Sequence, residues 1–549
     1  MKTKKTLALL LAALLALSLL AGCGSGGSGG GGTSPATAAP MAKPTEAPAP
    51  AAPEKSDKIM QIGTSQSCST LDPINGYDYW YTIRYGVGET LMKFGVDMSP
   101  SPWLAAEMPT VSADNLTWTV KLRDDVTFST GEKLTAEKAK AALERQYAES
   151  GPAKGYFALK EIKAEGQTLS ITTEAPVPIM PYLLADPVFV IYDTADLTDV
   201  ADKGPIGTGP FVFKSFDATT RNCSVLRNDN YWGGQVNVGG IDFTMLADAS
   251  TLTMSLQNGE LDAAYGINVE DISRFEADPG YTVLTSPSGR TTFGFMNQNE
   301  GRLFKDEKLR QAVTRIADRV TYCHALFYDQ FVPGITPLTS SLPYGYNELK
   351  DINAYDVEGA KKLLDEAGYV DADGDGWRDM PDGSPLDISI TTYTGRIEMP
   401  LLAQAMQNDG KKVGLKFSID TKDSATAWSM LTAGEYDLLL MSISMASSGD
   451  PENGLKSYFR SYSEETPNYN RSGYSNPEVD RLFAELNGTF DISKRESLIK
   501  EIEQHMMDDS CAIYFCYPLM NFVTKTNVTG VTSHTSDYYW VSKDTGFTD

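Results

Sequence analysis

The chain has 549 residues, enough for two or three domains with cores of their own. Its 72 acidic residues outnumber 47 basic ones, for a formal charge of −25. That excess argues against a nucleic-acid binder, whose partner's phosphates require Lys and Arg, and suits an exported soluble protein with a neutral or cationic ligand. Three histidines, His324, His505 and His534, exclude a His-rich metal cage and leave little for His-based catalysis. Besides Cys23, the scattered Cys68, Cys223, Cys323, Cys511 and Cys516 make no disulfide framework and read as buried thiols with at most one bridge.

In chain order, Lys2, Lys4 and Lys5 precede an apolar run from Leu7 to Leu17, which is too short for the ~20 residues a bilayer core needs. The run ends in Leu20-Ala21-Gly22-Cys23 and reads as a secretory signal. The ending resembles the bacterial lipoprotein signal, in which the Cys is acylated, commonly with palmitate, and becomes the first residue. Residues 1–22 are then the signal peptide and 23–57 the lipid anchor plus a Gly/Ser/Pro/Ala tether, with a reach of roughly 30 Å. The pattern G-x-S-x-G at Gly26–Gly30 falls in that tether and cannot form a nucleophile elbow.

The fold is expected to start near Lys58, with Ile59–Thr64 a strand and Leu71-Asp72-Pro73 a break. Tyr77, Tyr79, Trp80 and Tyr81 crowd the next stretch, which continues as a helix to Met92. Alternation over Leu116–Leu122 predicts a half-buried strand, and Val126–Phe128 starts another. Thr135 caps a helix over Ala136–Tyr147. Further helices are expected at Ser250–Asn258, Lys308–Phe327, Asp356–Ala367, Pro400–Val413, Asn476–Leu486 and Ile492–Met507. Further strands are expected at Leu169–Thr173, Leu386–Tyr393, Leu415–Ile419, Tyr436–Ser444 and Ala512–Tyr517. The unbroken apolar middle of Tyr436–Ser444 predicts a strand covered on both faces. The alternation indicates α/β or α+β layers.

Several segments then stand in the order of a known family. They are Leu71-Asp72-Pro73; Gly88-Glu89-Thr90-Leu91; Pro102-Trp103-Leu104-Ala105-Ala106-Glu107; and Asn115 to Phe128 with Gly131-Glu132 and Thr135-Ala136-Glu137. Later come Pro205 to Phe211, Arg227 to Trp232, Gly259-Glu260-Leu261-Asp262, Lys308 to Val313 and Ala360 to Leu364. The chain resembles the family 5 extracytoplasmic solute-binding proteins of ABC importers, the peptide- and nickel-binding type, in lipoprotein form. The resemblance implies a mixed α/β, two-lobed periplasmic-binding-protein fold of the large class II kind, with an extra domain in the first lobe. Lobe I would be 58–289 plus 516–549, with the extra domain about 85–203, and lobe II 290–515. It also implies a monomer, anchored to the outer face of the cytoplasmic membrane, that hands an oligopeptide, a dipeptide or a metal chelate to permease subunits. No enzyme activity and no cofactor are implied, and nickel-chelate import or a surface sensor or chaperone role stand as alternatives.

Two stretches are candidate ligand contacts. Tyr79, Trp80 and Tyr81 offer flat area with polar tips, which suits a cleft gripping varied solutes, or pack beneath the loop instead. The second is Ser444 to Pro451, beyond the carboxyl end of the buried strand. In peptide-binding relatives an Asp shortly before this Asp-Pro grips the peptide amine. Ser447 stands there and Met445 replaces a common Trp, leaving Asp450 as the one acid of the loop. Where nickel-chelate binders place a cleft arginine, this chain carries Asp186. Separately, Asp371, Asp373, Asp375, Trp377, Asp379 and Asp382 match the ligand spacing of an EF-hand-like loop around a structural calcium, with Asp for Glu at the twelfth place; an acidic hairpin is the alternative.

Overall fold

The computed structural model describes residues 55–344, 346–465 and 467–548. The signal segment, Cys23 and the tether up to residue 54 lie outside them. No helix among the described residues is long and apolar enough to cross a membrane. Strand and helix alternate, and twelve strands join one hydrogen-bonded system.

Its first half centres on Ile59–Thr64, which lies parallel to both Gly240–Met245 and Ala263–Tyr265. The antiparallel ribbon Phe211–Phe216 and Cys223–Arg227 extends that edge. Alternation decides the faces, and Met60 and Ile62 are fully buried. In the second half, Arg290–Met296 runs antiparallel between Leu438–Ser444 and the start of Ala512–Lys525. Asp387–Tyr393 lies parallel to Lys416–Lys422 and to Leu438-Leu439. Leu438 to Met441 are all fully buried, as a strand covered on both faces requires.

The chain crosses between the halves at two adjacent places. One is the step from Tyr281–Pro287 through Ser288 and Gly289 into Arg290–Met296. The other is the long strand Ala512–Lys525, which pairs first with Arg290–Met296 and then with Tyr281–Pro287. Pro518 sits at the changeover, where it has no N–H to donate. Two neighbouring backbone crossings make a hinge geometry.

A separate four-stranded layer has the order Thr110–Val111, Thr117–Lys121, Thr168–Thr173, Leu159–Glu165. The helix Ala136–Glu149, capped by Thr135, belongs with it. Arg145 on that helix grips Asp72 with two hydrogen bonds of 3.0 and 2.8 Å, so the Asp-Pro break fastens this layer to the first half. Trp118 of the layer stacks on Phe490 of the segment before the long helix Ile492–Asp508. One continuous apolar core therefore joins the layer to the second half of the main sheet.

Four elements differ from the sequence expectation. The helix after the aromatic run stops at Arg84, because Gly86 takes a left-handed φ of +69°. The helix expected over Lys308–Phe327 breaks in two, with Asp318 capping the second part, Arg319–Ala325. Val126–Phe128 makes only an isolated bridge, Thr127 to Lys133. The last strand continues past Tyr517 to Lys525, where the apolar pattern gives way to half-buried residues. The five described cysteines are all buried free thiols.

Candidate functional site

The short helix Tyr79–Arg84 is set in place by its preceding loop. Asp78 accepts hydrogen bonds from the backbone of Ser69 and Thr70 and from the side chain of Asn75. Its aromatics then reach a chamber of about 520 Å³, in the size range of small-molecule sites. The walls come from three parts of the chain. Tyr77, Tyr79 and Trp80 form one; Gly151 to Tyr156 and Asp186 of the four-stranded layer's side form another; Ser447, Asn453, Ser457 and Tyr469 form the third. Tyr538 closes the chamber and donates a 2.9 Å hydrogen bond from its hydroxyl to the Ser447 carbonyl. That bond ties the C-terminal segment to the loop beyond Leu438–Ser444.

Asp186 is 1% exposed. One carboxylate oxygen accepts from the Val188 N–H at 2.9 Å and the other from the Tyr156 hydroxyl at 2.7 Å. No cation pairs with it among the described residues. Burial pushes its carboxyl up to about 6, against these two bonds. Asn453 Nδ2 on the opposite wall is buried without a partner among the described residues.

A smaller cavity of about 60 Å³ shares the walls Trp80, Ser447 and Tyr538 and lies at the hinge, beside Ser288, Gly289 and Arg290. Arg290 is half-buried, and its Nη1 donates to the Ser442 carbonyl at 2.8 Å. Burial, with the nearby Arg396, pulls its guanidinium down to about 10. Arg84 is buried beneath the rings of Trp80, Tyr81 and Trp540 and paired with Asp537 at 2.5 Å. Its Nη1 is left without a partner among the described residues.

Tyr79, Trp80, Asp186 and Ser447, read from the sequence as contacts, meet at the chamber. Tyr81, Met445 and Asp450 do not. Tyr81 is turned to the other face of its helix, onto Tyr85 and Trp540. Met445 is core, 1% exposed. Asp450 lines a different cavity, where it accepts from Arg495 at 2.8 and 3.1 Å and caps the Glu452 N–H. In the acidic loop, the Asp371, Asp373 and Asp375 carboxylates lie within 4.8 Å of one another. Asp379 accepts from the Ala372 N–H, Asp382 from Ser384, and Trp377 donates its N–H to Asp375. A helix precedes this loop, but a strand follows it. Sequence reasoning missed Tyr156, Asn453, Tyr469, Tyr538 and Arg290. Only the run Tyr538-Tyr539-Trp540, a second aromatic cluster, carried a signal comparable to that of Tyr77–Tyr81.

A mixed α/β chain in two lobes about a double crossing, with a chamber walled by three separate parts of the chain, has the architecture of a solute-binding protein of the ABC-importer type. The chain matches the bacterial extracellular solute-binding proteins, family 5, over residues 99–465, and belongs to that family. It is 26% identical over 462 residues to the nickel-binding protein NikA of Staphylococcus aureus, covering 84% of this chain and 89% of that one. It is 26% identical over 510 residues to the glutathione-binding protein GsiB of Escherichia coli K12, covering 89% and 93%. Among solved structures, a nickel ABC transporter protein from Bacillus halodurans superposes with a TM-score of 0.75 at 29% identity, covering 89% of this chain and all of that one.

Proposed function

We propose that this protein captures a small peptide or related solute in the chamber and delivers it to an ABC permease while held to the outer face of the cytoplasmic membrane by a lipid on Cys23. The chamber carries the reading: about 520 Å³, walled by three separate parts of the chain and lined with aromatics and a few polar groups. We assign residues 58–289 and 516–549 to the first lobe, the extra domain about 85–203 within it, and residues 290–515 to the second. Solute binding shifts the population from open to closed lobes. Contacts across the cleft, Tyr538 to Ser447 and Trp118 on Phe490, then hold the closed form. The anchor rests on the Leu-Ala-Gly-Cys ending and the tether after it.

Native mass spectrometry of the protein purified from its own cells tests capture, and an adduct released on denaturation is expected. Small-angle scattering tests closure; an unchanged radius of gyration at saturating solute sinks it. A Cys23→Ser variant is expected in the medium rather than the membrane fraction. Nickel-chelate capture is the second reading, favoured by the likeness to nickel-binding NikA. Titration with nickel–histidine decides it. We further propose that the loop from Asp371 to Asp382 takes a structural calcium ion, with Asp371, Asp373 and Asp375 as its convergent ligands.

A further inference from the structure

The geometry points to a zinc site on the surface formed by the helices Pro477–Leu486 and Ile492–Asp508, with Glu478, Glu501 and His505 as its ligands. One imidazole and two carboxylates each offer a ligand atom there, and these atoms lie within 4.8 Å of one another. Two packed helices bring them together. Glu501 and His505 stand four residues apart on Ile492–Asp508 and so share one face of it. Glu478 stands in the first turn of Pro477–Leu486. Val479, Leu482 and Phe483 of the shorter helix and Leu498, Ile499 and Ile502 of the longer one are buried in a common core. The facing ends are pinned as well. Asn476 caps the shorter helix, accepting from the Glu478 N–H at 2.9 Å, and its own Nδ2 donates to Asp509 at 2.7 Å. Asp509 directly follows the longer helix and donates its N–H to the His505 carbonyl at 2.9 Å. The Asn476–Asp509 bond therefore holds the turn that carries His505 beside the turn that carries Glu478.

The donors are also available. Of the three histidines, His324 meets Asp329 and His534 meets Ser536 through a ring nitrogen. His505 and Glu501 make no side-chain hydrogen bond among the described residues. Glu478 is held by Arg481 at 2.6 and 3.0 Å, but Arg481 also donates to Glu485 at 3.0 Å. Arg481 thus keeps a carboxylate partner when Glu478 turns to a metal. Glu501 is exposed and the other two are half-buried, so an ion reaches them from solvent. The donor set decides the metal. Calcium and magnesium are bound by oxygens, whereas an imidazole with two carboxylates suits zinc, with water in the open fourth position. Zinc–ligand distances of ~2.0–2.2 Å place tetrahedral donors about 3.3 Å apart, which these side chains reach by small rotations. The chamber and the hinge cavity are lined by other residues, so the site stands apart from solute capture. An ion here joins the two helices and stiffens their packing.

The whole protein, stripped with EDTA and dialysed, is titrated with zinc chloride by isothermal calorimetry, and its melting temperature is read with and without the ion. Saturable binding and a higher melting temperature in zinc are expected. His505→Gln and Glu501→Gln are each expected to weaken binding about tenfold or more and to lose the rise in melting temperature, while melting as the unmodified protein does without metal. Asp373→Ala, which alters the separate acidic loop, is expected to keep both. On the unmodified protein, zinc is expected to protect His505 from diethyl pyrocarbonate, read by peptide mass. The site is overturned by absence of saturable binding, by unchanged affinity in His505→Gln, by affinity that falls in Asp373→Ala but not in His505→Gln, or by modification of His505 at the same rate in saturating zinc.

Discussion

Two buried aspartates flank the cleft, and they differ in what answers their charge. Asp450, 3% exposed, faces Arg495, which also holds Glu452 at 2.9 Å. Asp186 is equally buried and accepts hydrogen bonds from a backbone amide and a tyrosine hydroxyl, with no cation among the described residues. The first is a closed network that locks the loop after Leu438–Ser444 onto the long helix Ile492–Asp508. The second is an open valence on a chamber wall. Burial alone thus does not mark a functional acid; the missing partner does.

The sharpest way to break this contrast is to open the closed network. Arg495→Ala leaves Asp450 and Glu452 buried without a cation, and such losses cost about 3–5 kcal/mol. Chemical denaturation is expected to show a drop of that size. A drop under about 1 kcal/mol would put Asp450 in the same class as Asp186.

The mirror experiment acts on Asp186 and has the opposite sign. Its carboxyl is raised from 3.8 to about 6 by burial, so ionisation at pH 7 opposes folding. Two units amount to roughly 3 kcal/mol at most. The groups facing it from neighbouring elements are Tyr77 and Tyr79, Tyr156, and Tyr538 and Tyr539, all pushed further from ionisation by burial, so none titrates in this window. A raised acid weakens the fold as pH climbs from about 4 through 6. Asp186→Asn is therefore expected to melt a few degrees higher than the unmodified protein at pH 7, and equally at pH 3.5. A lower melting point at pH 7 would show the carboxylate to be structural after all.

Both aspartates depend on the lobes meeting, and Gly449 tests that meeting. It lies next to Asp450 at φ +81°, and an added Cβ would come within 2.8 Å of Phe94, the Met98 carbonyl and Tyr182. Those three belong to the other side of the cleft. Gly449→Val is expected to hold the lobes apart and weaken solute binding about tenfold or more, roughly 1.4 kcal/mol. Scattering should then report the open radius with solute present. Unchanged affinity would show that this contact is not part of closure.

The sequence was most legible where periodicity was long. Ile59–Thr64, the helix over Asn476–Leu486 and the doubly covered strand at Leu438 were plain from apolar spacing and caps. The chamber wall was legible only as residue types, Tyr79, Trp80, Asp186 and Ser447. Neighbours in sequence then parted ways: Trp80 faces the chamber while Tyr81, one step around the helix, faces the core. Asp450 misled because its partner is Arg495, 45 residues on, and no local pattern links them. Tyr538 and Arg290 reach the site by a tail and a hinge strand, placements that only the tertiary path supplies. Where the family resemblance suggested a clamp in the 444–451 loop, the unpaired acid stands on the far wall.

A third set of acids completes the comparison and carries the smallest effect. Asp371, Asp373 and Asp375 are exposed, so water already solvates them and none strains the fold. Their oxygens are oriented by N–H groups of the loop itself, Gly374 and Gly376 on Asp371 and Asp375 on Asp373. Mutual repulsion among three such carboxylates is what a divalent cation relieves. With a dissociation constant of ~1 mM, typical of extracellular modules, roughly 5 mM calcium adds about 1 kcal/mol through mass action. The expected melting shift is one to two degrees, absent in Asp373→Ala and absent with magnesium, which demands a tighter octahedron. No shift in calcium would leave the loop an acidic hairpin, and Asp186 the one buried acid of the three sets with no cation partner among the described residues.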